Sequence, residues 1–550
     1  MKLAVSIFWE RVRSWMPFVL GASLMWVVLG EASRIPTGDA PHLLAIADRL
    51  GLMFRRGDIL DGFESWSSLV TPHPPAGYLI PASLGLLGAG TAIPHLTGIF
   101  GLGLCWYGMN LLSHGDHRSR WGPWMGGLLL MSSAMTWTLV EHMAWDVLAA
   151  GCVAACVGHL HASDGFRNKG HALAFGLFMG LGFVTKYTFA AFLIVPVLFA
   201  ARALIRFRTV GGLFVALMGF AMVAGPWLWT HGDSVLAYVA NSTSPGQSIS
   251  DSPAQSWSAR FSPDNLFYYP TVLRDALGWP GVLLASVAFA RVWVRPAGRW
   301  AAWSVLGGLF VLSFAGENQA RYLFPALPLL GVIVDIGIRP GIVQPMARFG
   351  LLCGLSALLP SAWGVWSVQQ SDRAAPPSRD QTHAVESLLT WGEWPRPSTA
   401  FRPIENPMKN WRVDEAIAAV AQQTGKGAHQ VGLLLPRDPR LPPAATYPWR
   451  AGQRMLEWDV ATIAADGPHG RPMVFVGPLK PIGERIDRRF RVAYAVHPRG
   501  APPVLLTNIQ ATVVWQHSLP NGLQGSVLTV PREGWETPTG LLLQKDPLDG

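Results

Sequence analysis

Long apolar runs, separated by short polar connections, fill most of the first two thirds of this chain. A run of roughly 20 predominantly apolar residues is long enough to cross the hydrocarbon core of a bilayer as a helix. By this criterion we count about eleven candidate spans. They lie near residues 14–31, 93–113, 122–140, 146–162, 171–185, 187–204, 211–230, 276–294, 300–316, 321–338 and 347–366. The sequence therefore predicts an α-helical polytopic membrane protein.

The composition supports this class and argues against a nucleic-acid partner. Half of the 550 residues are hydrophobic and only 14% are charged, whereas a soluble chain typically has about 25% charged residues. The net charge is +9, but the chain has no Lys/Arg-rich run of the kind that binds nucleic acid. The cations lie mostly in short loops between apolar runs, where they indicate membrane topology. Membrane lipid is the partner that this pattern predicts.

One apolar segment, "TPHPPAGYLIPASLGLLGAG" at residues 71–90, is too short to be a clear span and contains Pro81. If residues 76–90 do not cross, the basic loops "SHGDHRSRW", "SDGFRNKGH" and "RALIRFR" all lie on the side of the N-terminus. That side is then the cytoplasm, because cytoplasmic loops carry the excess of Lys and Arg. We therefore predict that this segment lies along the outer interface or re-enters, within a large first outer loop of residues 32–92. Tyr78 is predicted to lie at headgroup level.

The character of the chain changes after residue 369, where the predicted transmembrane domain 1–369 ends. Residues 370–410 form a polar, Pro-rich linker. Residues 411–550 combine one helical pattern, "VDEAIAAVAQQTG", with the β-like runs "VGLLL", "PMVFVG", "FRVAYAV", "VLLTNI" and "GSVLTV". This pattern predicts a small soluble α/β domain. An odd number of spans from a cytoplasmic N-terminus places the domain outside the cytoplasm.

Ionisable residues collect at the predicted outer ends of the spans. A charged group in contact with lipid costs a few kcal/mol, so such residues generally face a cavity or a partner. The candidate site residues are Asp39, His42, His73, Glu141, His142, Asp146, Lys186, Glu317 and Arg321.

Each charged candidate also has a purely structural interpretation. Asp39 precedes an amphipathic pattern and is a good helix N-cap, and Asp146 could cap the next helix in the same way. Lys186 could snorkel to the interface. Arg321 could pair with Glu317, because the two are spaced as i and i+4 on a helix. Under the functional interpretation, the two cations instead bind an anionic headgroup.

Taken together, five positions resemble the membrane glycosyltransferases of the GT-C type, in particular the protein mannosyltransferase and aminoarabinose (lipid A) transferase relatives. Asp39 stands in "TGDAPHLLAIADRL" before a juxtamembrane helix, and His73 stands in an HPP motif. Asp146 is an acid at the start of the fourth span. "GLGFVTKYT" contains Lys186, and "RYLFPALP" begins with Arg321.

The resemblance covers residues 14–366 and implies a fold, an activity and partners. It implies transfer of a sugar, a hexose or a pentose, from a polyprenyl-phosphate donor to a glycan, lipid or protein acceptor at the outer face of a bacterial inner membrane. Lys186 and Arg321 would bind the donor phosphate. Asp39 would be the general base of an inverting displacement, with Asp146 orienting the acceptor or sharing that role.

Two departures from the family pattern concern the acceptor site and metal binding. Many relatives have a second acid where this chain has Ala40, and the second outer loop has no DxD or ExD motif. The second departure argues against an obligate divalent metal, and we predict no cofactor. An ion bound by His42, His73, Glu141 and His142 is a minor alternative.

Two other classes of function remain open from the sequence. A transporter or flippase for lipid-linked sugars would place polar residues at mid-bilayer depth. Here the acids and bases lie at span ends, and Asp335, the one acid within a run, is near the cytoplasmic end. A catalytically inactive scaffold that presents the C-terminal domain is the second alternative, which the Ala40 departure keeps open.

Overall fold

The computed structural model describes the helical part of the chain more completely than the C-terminal part. In the helical part it covers residues 14–27, 74–86, 93–114, 122–141, 145–243, 261–314 and 319–338. Beyond them it covers residues 419, 422–423, 428–434, 458–464, 473–476, 492–500, 512–518 and 523–529.

The described residues before 339 form α-helices, which we number in chain order. They are α1 Ser14–Val27, α2 Ala76–Leu86, α3 Ile93–His114, α4 Gly122–Ser132, α5 Ala134–Glu141, α6 Trp145–Ala162, α7 Lys169–Phe183, α8 Ile194–Phe207, α9 Val210–Thr243, α10 Pro263–Val292, α11 Pro296–Ser313 and α12 Ala326–Gly337. Short 3-10 helices, Tyr187–Phe192 and Ala320–Leu323, precede α8 and α12.

Several of these helices are suited to a membrane. Within the described residues, four helical segments are long and apolar enough to cross a bilayer, and a fifth counts if the two halves of α10, bent by 107°, form one span. The described parts of the predicted runs up to residue 338 fall mostly on helical segments, whereas the run 347–366 lies outside the described residues. The multi-pass helical class is thus supported, and the exact number of spans stays a prediction.

The predicted span 122–140 is divided at Ser133, between α4 and α5. A break in a transmembrane helix is tolerated where side chains satisfy the freed backbone groups. The Thr136 hydroxyl donates to the Leu130 carbonyl at 2.6 Å, and the Trp137 indole N–H donates to the Met131 carbonyl at 2.8 Å. Side chains just after the break therefore satisfy the backbone carbonyls that the interrupted helix leaves without their usual donors.

Helix α2 lies in the segment 71–90, whose position in the membrane the sequence predicts to be interfacial or re-entrant. The described part of the helix follows Pro74 and Pro75 and has 11 residues, which extend about 16 Å. Residues 87–92 lie outside the described residues, so whether the segment crosses stays a prediction. Tyr78 is fully buried in the protein, so its ring does not contact lipid, and its predicted depth at headgroup level stays a prediction.

Glycines allow the helices to approach closely. A Cβ atom at Gly108 of α3 would meet the backbone of Ala154 in α6, and one at Gly176 of α7 would meet the backbone of Ala216 in α9. Small residues at such contacts drive helix association in lipid through close packing. Helix α6 is consequently buried over nearly its whole length, and it positions the candidate site at its first turn.

The C-terminal residues form one mixed six-stranded sheet with the order β3-β2-β1-β4-β6-β5. The central pair, β1 and β4, is parallel, with Val431 opposite Val492, and the other neighbours are antiparallel. The strands are β1 Ala428–Leu434, β2 Trp458–Ala464, β3 Met473–Val476, β4 Val492–Pro498, β5 Thr512–Ser518 and β6 Leu523–Thr529.

The sheet lies entirely within the predicted domain 411–550. Four of the five predicted β-like runs overlap β1, β3, β4 and β6, and the fifth, at residues 504–509, lies outside the described residues. Strands β2 and β5 were not predicted. In β5, Gln516 and Ser518 are exposed, so this strand lacks the apolar run that identifies a fully buried one.

Candidate functional site

The centre of the candidate site is an ion pair between Asp146 and Lys186. The Lys186 Nζ atom lies 2.6 Å from Asp146 Oδ1. The side chains are 3% exposed for Asp146 and 17% exposed for Lys186. The lysine side chain therefore points into the protein and does not snorkel to the interface. The pair joins the first turn of α6 to the segment after α7, two positions 40 residues apart in the chain.

The local sequence around Lys186 ends one helix and turns the lysine inward. The last turn of α7 closes with the backbone N–H groups of Thr185 and Lys186 both donating to the Gly182 carbonyl. The Thr185 hydroxyl also donates to the Leu181 carbonyl at 2.7 Å. Lys186 itself is extended, with φ −163° and ψ 124°, and the next residues form a 3-10 helix. The lysine is thus on an irregular segment between two helices.

A third element, the 3-10 helix before α12, completes the cluster. The Lys186 ammonium lies 4.7 Å from the centre of the Tyr322 ring, which is a favourable cation–π geometry. The neighbouring Arg321 donates from Nε to Gln319 Oε1 at 2.6 Å. Gln319 is extended, with φ −120° and ψ 132°. An extended Gln319 does not belong to an α-helix that runs into Arg321, and Glu317, the predicted i,i+4 partner of Arg321, lies outside the described residues.

Helix α2 is anchored beside this cluster at two points. The Ala76 N–H donates to the Val184 carbonyl at 2.7 Å, two residues before Lys186. Tyr78 packs edge-on against Trp145, with ring centroids 4.8 Å apart, and Trp145 directly precedes Asp146. The short helix therefore forms part of the wall around the ion pair.

We expect substitution of Gly77 by leucine to loosen this wall. A Cβ atom at Gly77 would overlap the Trp145 indole ring, so the larger side chain must displace either α2 or Trp145. The variant should melt at a lower temperature, with a free-energy loss of about 1–3 kcal/mol. Gly211, where an added Cβ meets nothing within 4 Å, supplies the control variant Gly211→Leu. Equal melting temperatures for the two variants would contradict the close contact.

The C-terminal half of α9 covers the same junction. Trp227 and Val235 form an apolar cluster with Ala76 and Val184. His231 lies between them on the same helix face, is 8% exposed and stacks on Trp227 at 3.9 Å. Sequence reasoning missed His231, because a single histidine near a span end is a weak signal.

The structure thus assembles three of the predicted site residues, Asp146, Lys186 and Arg321, at one end of the helix bundle. Glu141 is the last described residue of α5, and its side chain is outside what the structure describes. The other predicted residues lie outside the described residues: Asp39, His42, His73, His142 and Glu317. Tyr322 and Trp145, which contact the ion pair or its neighbours, were not predicted.

The electrostatics of the cluster favour an anion. Asp146 supplies one negative charge, and Lys186 and Arg321 supply two positive charges, so the three side chains carry an excess of one positive charge. Arginine also presents a planar fork of donors that suits phosphate. Within the described ranges, no group of three or more His, Cys, Asp or Glu side chains could hold a metal ion. That finding does not cover His42, His73 or His142.

Comparison with known proteins points in the same direction. A family model described as Glycosyltransferase family 87 matches residues 71–315, a range that includes Asp146 and Lys186. No curated protein matches the chain. Four solved chains do, and two of them are crystal structures of ArnT from Cupriavidus metallidurans.

The apo ArnT structure is 14% identical, has a TM-score of 0.57, and is matched over 97% of this chain and 100% of that chain. The structure bound to undecaprenyl phosphate is 15% identical, has a TM-score of 0.59, and is matched over 95% and 98%. At this identity the likeness shows a shared fold. The resemblance to GT-C membrane glycosyltransferases that the sequence predicted is confirmed by the family model and by this fold.

Proposed function

We propose that this chain is an integral membrane glycosyltransferase that moves a sugar from a polyprenyl-phosphate donor to an acceptor at the outer face of the membrane. The observation that carries the proposal is the cluster of Asp146, Lys186 and Tyr322 beside Arg321, at one end of a bundle with the fold of ArnT. One of the ArnT structures is bound to undecaprenyl phosphate, which supports a lipid phosphate as the donor carrier.

The donor side of the reaction needs charge stabilisation more than acid catalysis. A phosphate is a good leaving group, and it gains negative charge as the glycosidic bond breaks. Lys186 and Arg321 can stabilise this charge, and fixed cations in a site of low dielectric act more strongly than cations in water. Lys186 is suited to this role because it is largely buried.

The acceptor side of the reaction needs a proton acceptor. The hydroxyl or amine of the acceptor loses a proton as it attacks, and a carboxylate within hydrogen-bond reach can take it. We assign this base to Asp39 and assign to Asp146 the orientation of the acceptor or a share of the same role. A single displacement inverts the anomeric centre. His42, His73, Glu141, His142 and Glu317 would line the acceptor cavity.

The alternative of a transporter has less support from the described polar residues. Asp146 and His159 lie at opposite ends of α6, about 20 Å apart, and the helix between them is apolar and buried. Asp335 is also buried, and its Oδ1 accepts a hydrogen bond from the Gly126 N–H at 2.8 Å. This bond ties α12 to α4, so Asp335 has a structural role.

A transfer assay tests the proposal directly. The purified full chain in lipid nanodiscs is incubated with polyprenyl-phosphate-linked pentoses and hexoses, with lipid A, glycan and peptide acceptors in parallel. We expect release of polyprenyl phosphate together with a glycosylated acceptor, which mass spectrometry detects. The matched control is the double variant Asp146→Asn/Lys186→Met, which keeps the volume of the pair and removes its charges. If the protein instead moved an intact lipid-linked sugar across the membrane of a vesicle, with no sugar transferred to an acceptor, the result would support a flippase.

Membrane orientation gives a separate prediction. We expect reporter tags at Gly115 and Gly165 to lie in the cytoplasm and tags at Ser252 and Gly550 to lie outside, because the basic loops belong on the cytoplasmic side. The measurement is the labelling of each tag in intact cells of a bacterial host by a reagent that does not cross the inner membrane. Labelling of Gly115 and Gly165 from outside would show that residues 76–90 cross the bilayer.

A further inference from the structure

The Lys186 ammonium already has an anionic partner in this structure. Its Nζ atom lies 2.6 Å from Asp146 Oδ1, so the carboxylate neutralises the charge that the donor phosphate needs. An ammonium has three N–H donors and can contact two anions, but a carboxylate and a phosphate held on one cation in a buried site repel each other. Binding of a lipid phosphate by Lys186 therefore weakens its pair with Asp146.

The surroundings identify the lysine as the partner that can move. Asp146 is in the first turn of α6, a helix that is buried over nearly its whole length, and its side chain is only 3% exposed. Lys186 is more exposed, at 17%, and lies on an irregular segment after α7. Its long side chain carries a compact charge on a flexible four-carbon stem.

Tyr322 gives the ammonium a support that does not depend on Asp146. The ring centre is 4.7 Å from Lys186 Nζ. The aromatic face attracts the ammonium whether its anionic partner is the Asp146 carboxylate or a phosphate. Arg321, the residue before Tyr322, lies on the same 3-10 helix. Tyr322 can therefore support the ammonium when Lys186 moves away from Asp146.

The geometry points to an ion-pair exchange, in which the donor phosphate displaces Asp146 from Lys186. The inference rests on the proposed function and adds the order of events in it. Donor binding transfers the cation to the phosphate and releases the Asp146 carboxylate to accept a hydrogen bond from the acceptor. Lys186 holds Asp146 Oδ1 until the donor binds, so this oxygen becomes available to the acceptor only after the donor is in place.

This exchange predicts opposite effects of one substitution on binding and on turnover. In Asp146→Asn the competing negative charge is gone, so a lipid phosphate no longer has to break an ion pair. The smallest coupling energies measured for close charge pairs correspond to about a tenfold change in binding affinity. We therefore expect the variant to bind undecaprenyl phosphate about tenfold more tightly than wild type does. Sugar transfer should become slower, because the carboxylate that orients the acceptor is absent. A pair with only a structural role predicts no gain in affinity.

The test is a binding titration of undecaprenyl phosphate against the full chain in nanodiscs. The variants are wild type, Asp146→Asn and Asp146→Asn/Lys186→Met, and the control is Asp335→Asn, an equally conservative change of a buried carboxyl at the other end of the bundle. We expect a tighter dissociation constant for Asp146→Asn, loss of that gain in the double variant, and a value equal to wild type for Asp335→Asn. Equal or weaker binding by a folded Asp146→Asn variant would overturn the exchange.

A measurement on the unmodified protein covers the case in which Asp146→Asn does not fold. In a structure of the wild-type chain with undecaprenyl phosphate, Lys186 Nζ should contact a phosphate oxygen and lie beyond ion-pair distance, about 4 Å, from Asp146. A retained close contact with Asp146 would overturn the exchange. If the wild type binds the lipid and transfers no sugar, the proposed function fails while the binding data still decide the exchange.

Discussion

Replacing Asp39 by asparagine is expected to reduce the rate of sugar transfer about 100-fold or more, which is the contribution of a positioned general base. Asparagine caps a helix as well as aspartate does, so this substitution would preserve a helix cap at position 39 and remove only the proton acceptor. Turnover of Asp39→Asn is to be measured against wild type at saturating donor and at temperatures equally far below each melting midpoint. An alanine variant would not separate the two roles, because it removes both.

The parallel variant is Asp146→Asn, which tests whether the two carboxylates share the proton. If Asp146 only orients the acceptor, its loss should slow transfer less than the loss of Asp39 does. Full turnover by Asp39→Asn, in a protein that melts like the wild type, would rule out Asp39 as the base. A larger loss of turnover for Asp146→Asn than for Asp39→Asn would identify Asp146 as the general base.

The second large effect is expected from Lys186→Met. Removal of one partner from a buried ion pair leaves an uncompensated charge and costs about 3 kcal/mol or more, and Asp146 is almost completely buried. We therefore expect a clear fall in the free energy of unfolding, measured by thermal or denaturant melting in detergent. A lysine that merely snorkelled to the membrane surface could be replaced at little cost.

The double variant Asp146→Asn/Lys186→Met is the control for this effect. It removes both charges, so most of the lost stability should return, while sugar transfer should remain absent because the phosphate contact is gone. Recovery of stability without recovery of activity would separate the structural part of the pair from its catalytic part. A single Lys186→Met variant as stable as wild type would show that the pair is open in the membrane-embedded protein.

Local sequence patterns were sufficient for the helical class of this protein and for three residues of the candidate site. Hydrophobicity is a property of a contiguous run, so the described parts of the predicted spans up to residue 338 coincide mostly with helical segments. Charges at the ends of such runs are costly in lipid, and this rule alone selected Asp146, Lys186 and Arg321. The resemblance of short motifs then predicted a likeness to GT-C glycosyltransferases, and the family model matching residues 71–315 and the ArnT-like fold support this likeness.

Only the tertiary structure decided which of these side chains meet. Asp146 and Lys186 are 40 residues apart, and no periodicity along the chain encodes a contact between the start of one helix and the end of the next. The same holds for Tyr322 under the lysine and for Tyr78 against Trp145. A hydrophobic run reports whether a segment is buried in lipid or protein, but an ion pair depends on distances of a few ångströms that helix packing sets. For this reason, the sequence alone predicted the charged candidates Asp146, Lys186 and Arg321, and the fold determined that Lys186 already has a carboxylate partner.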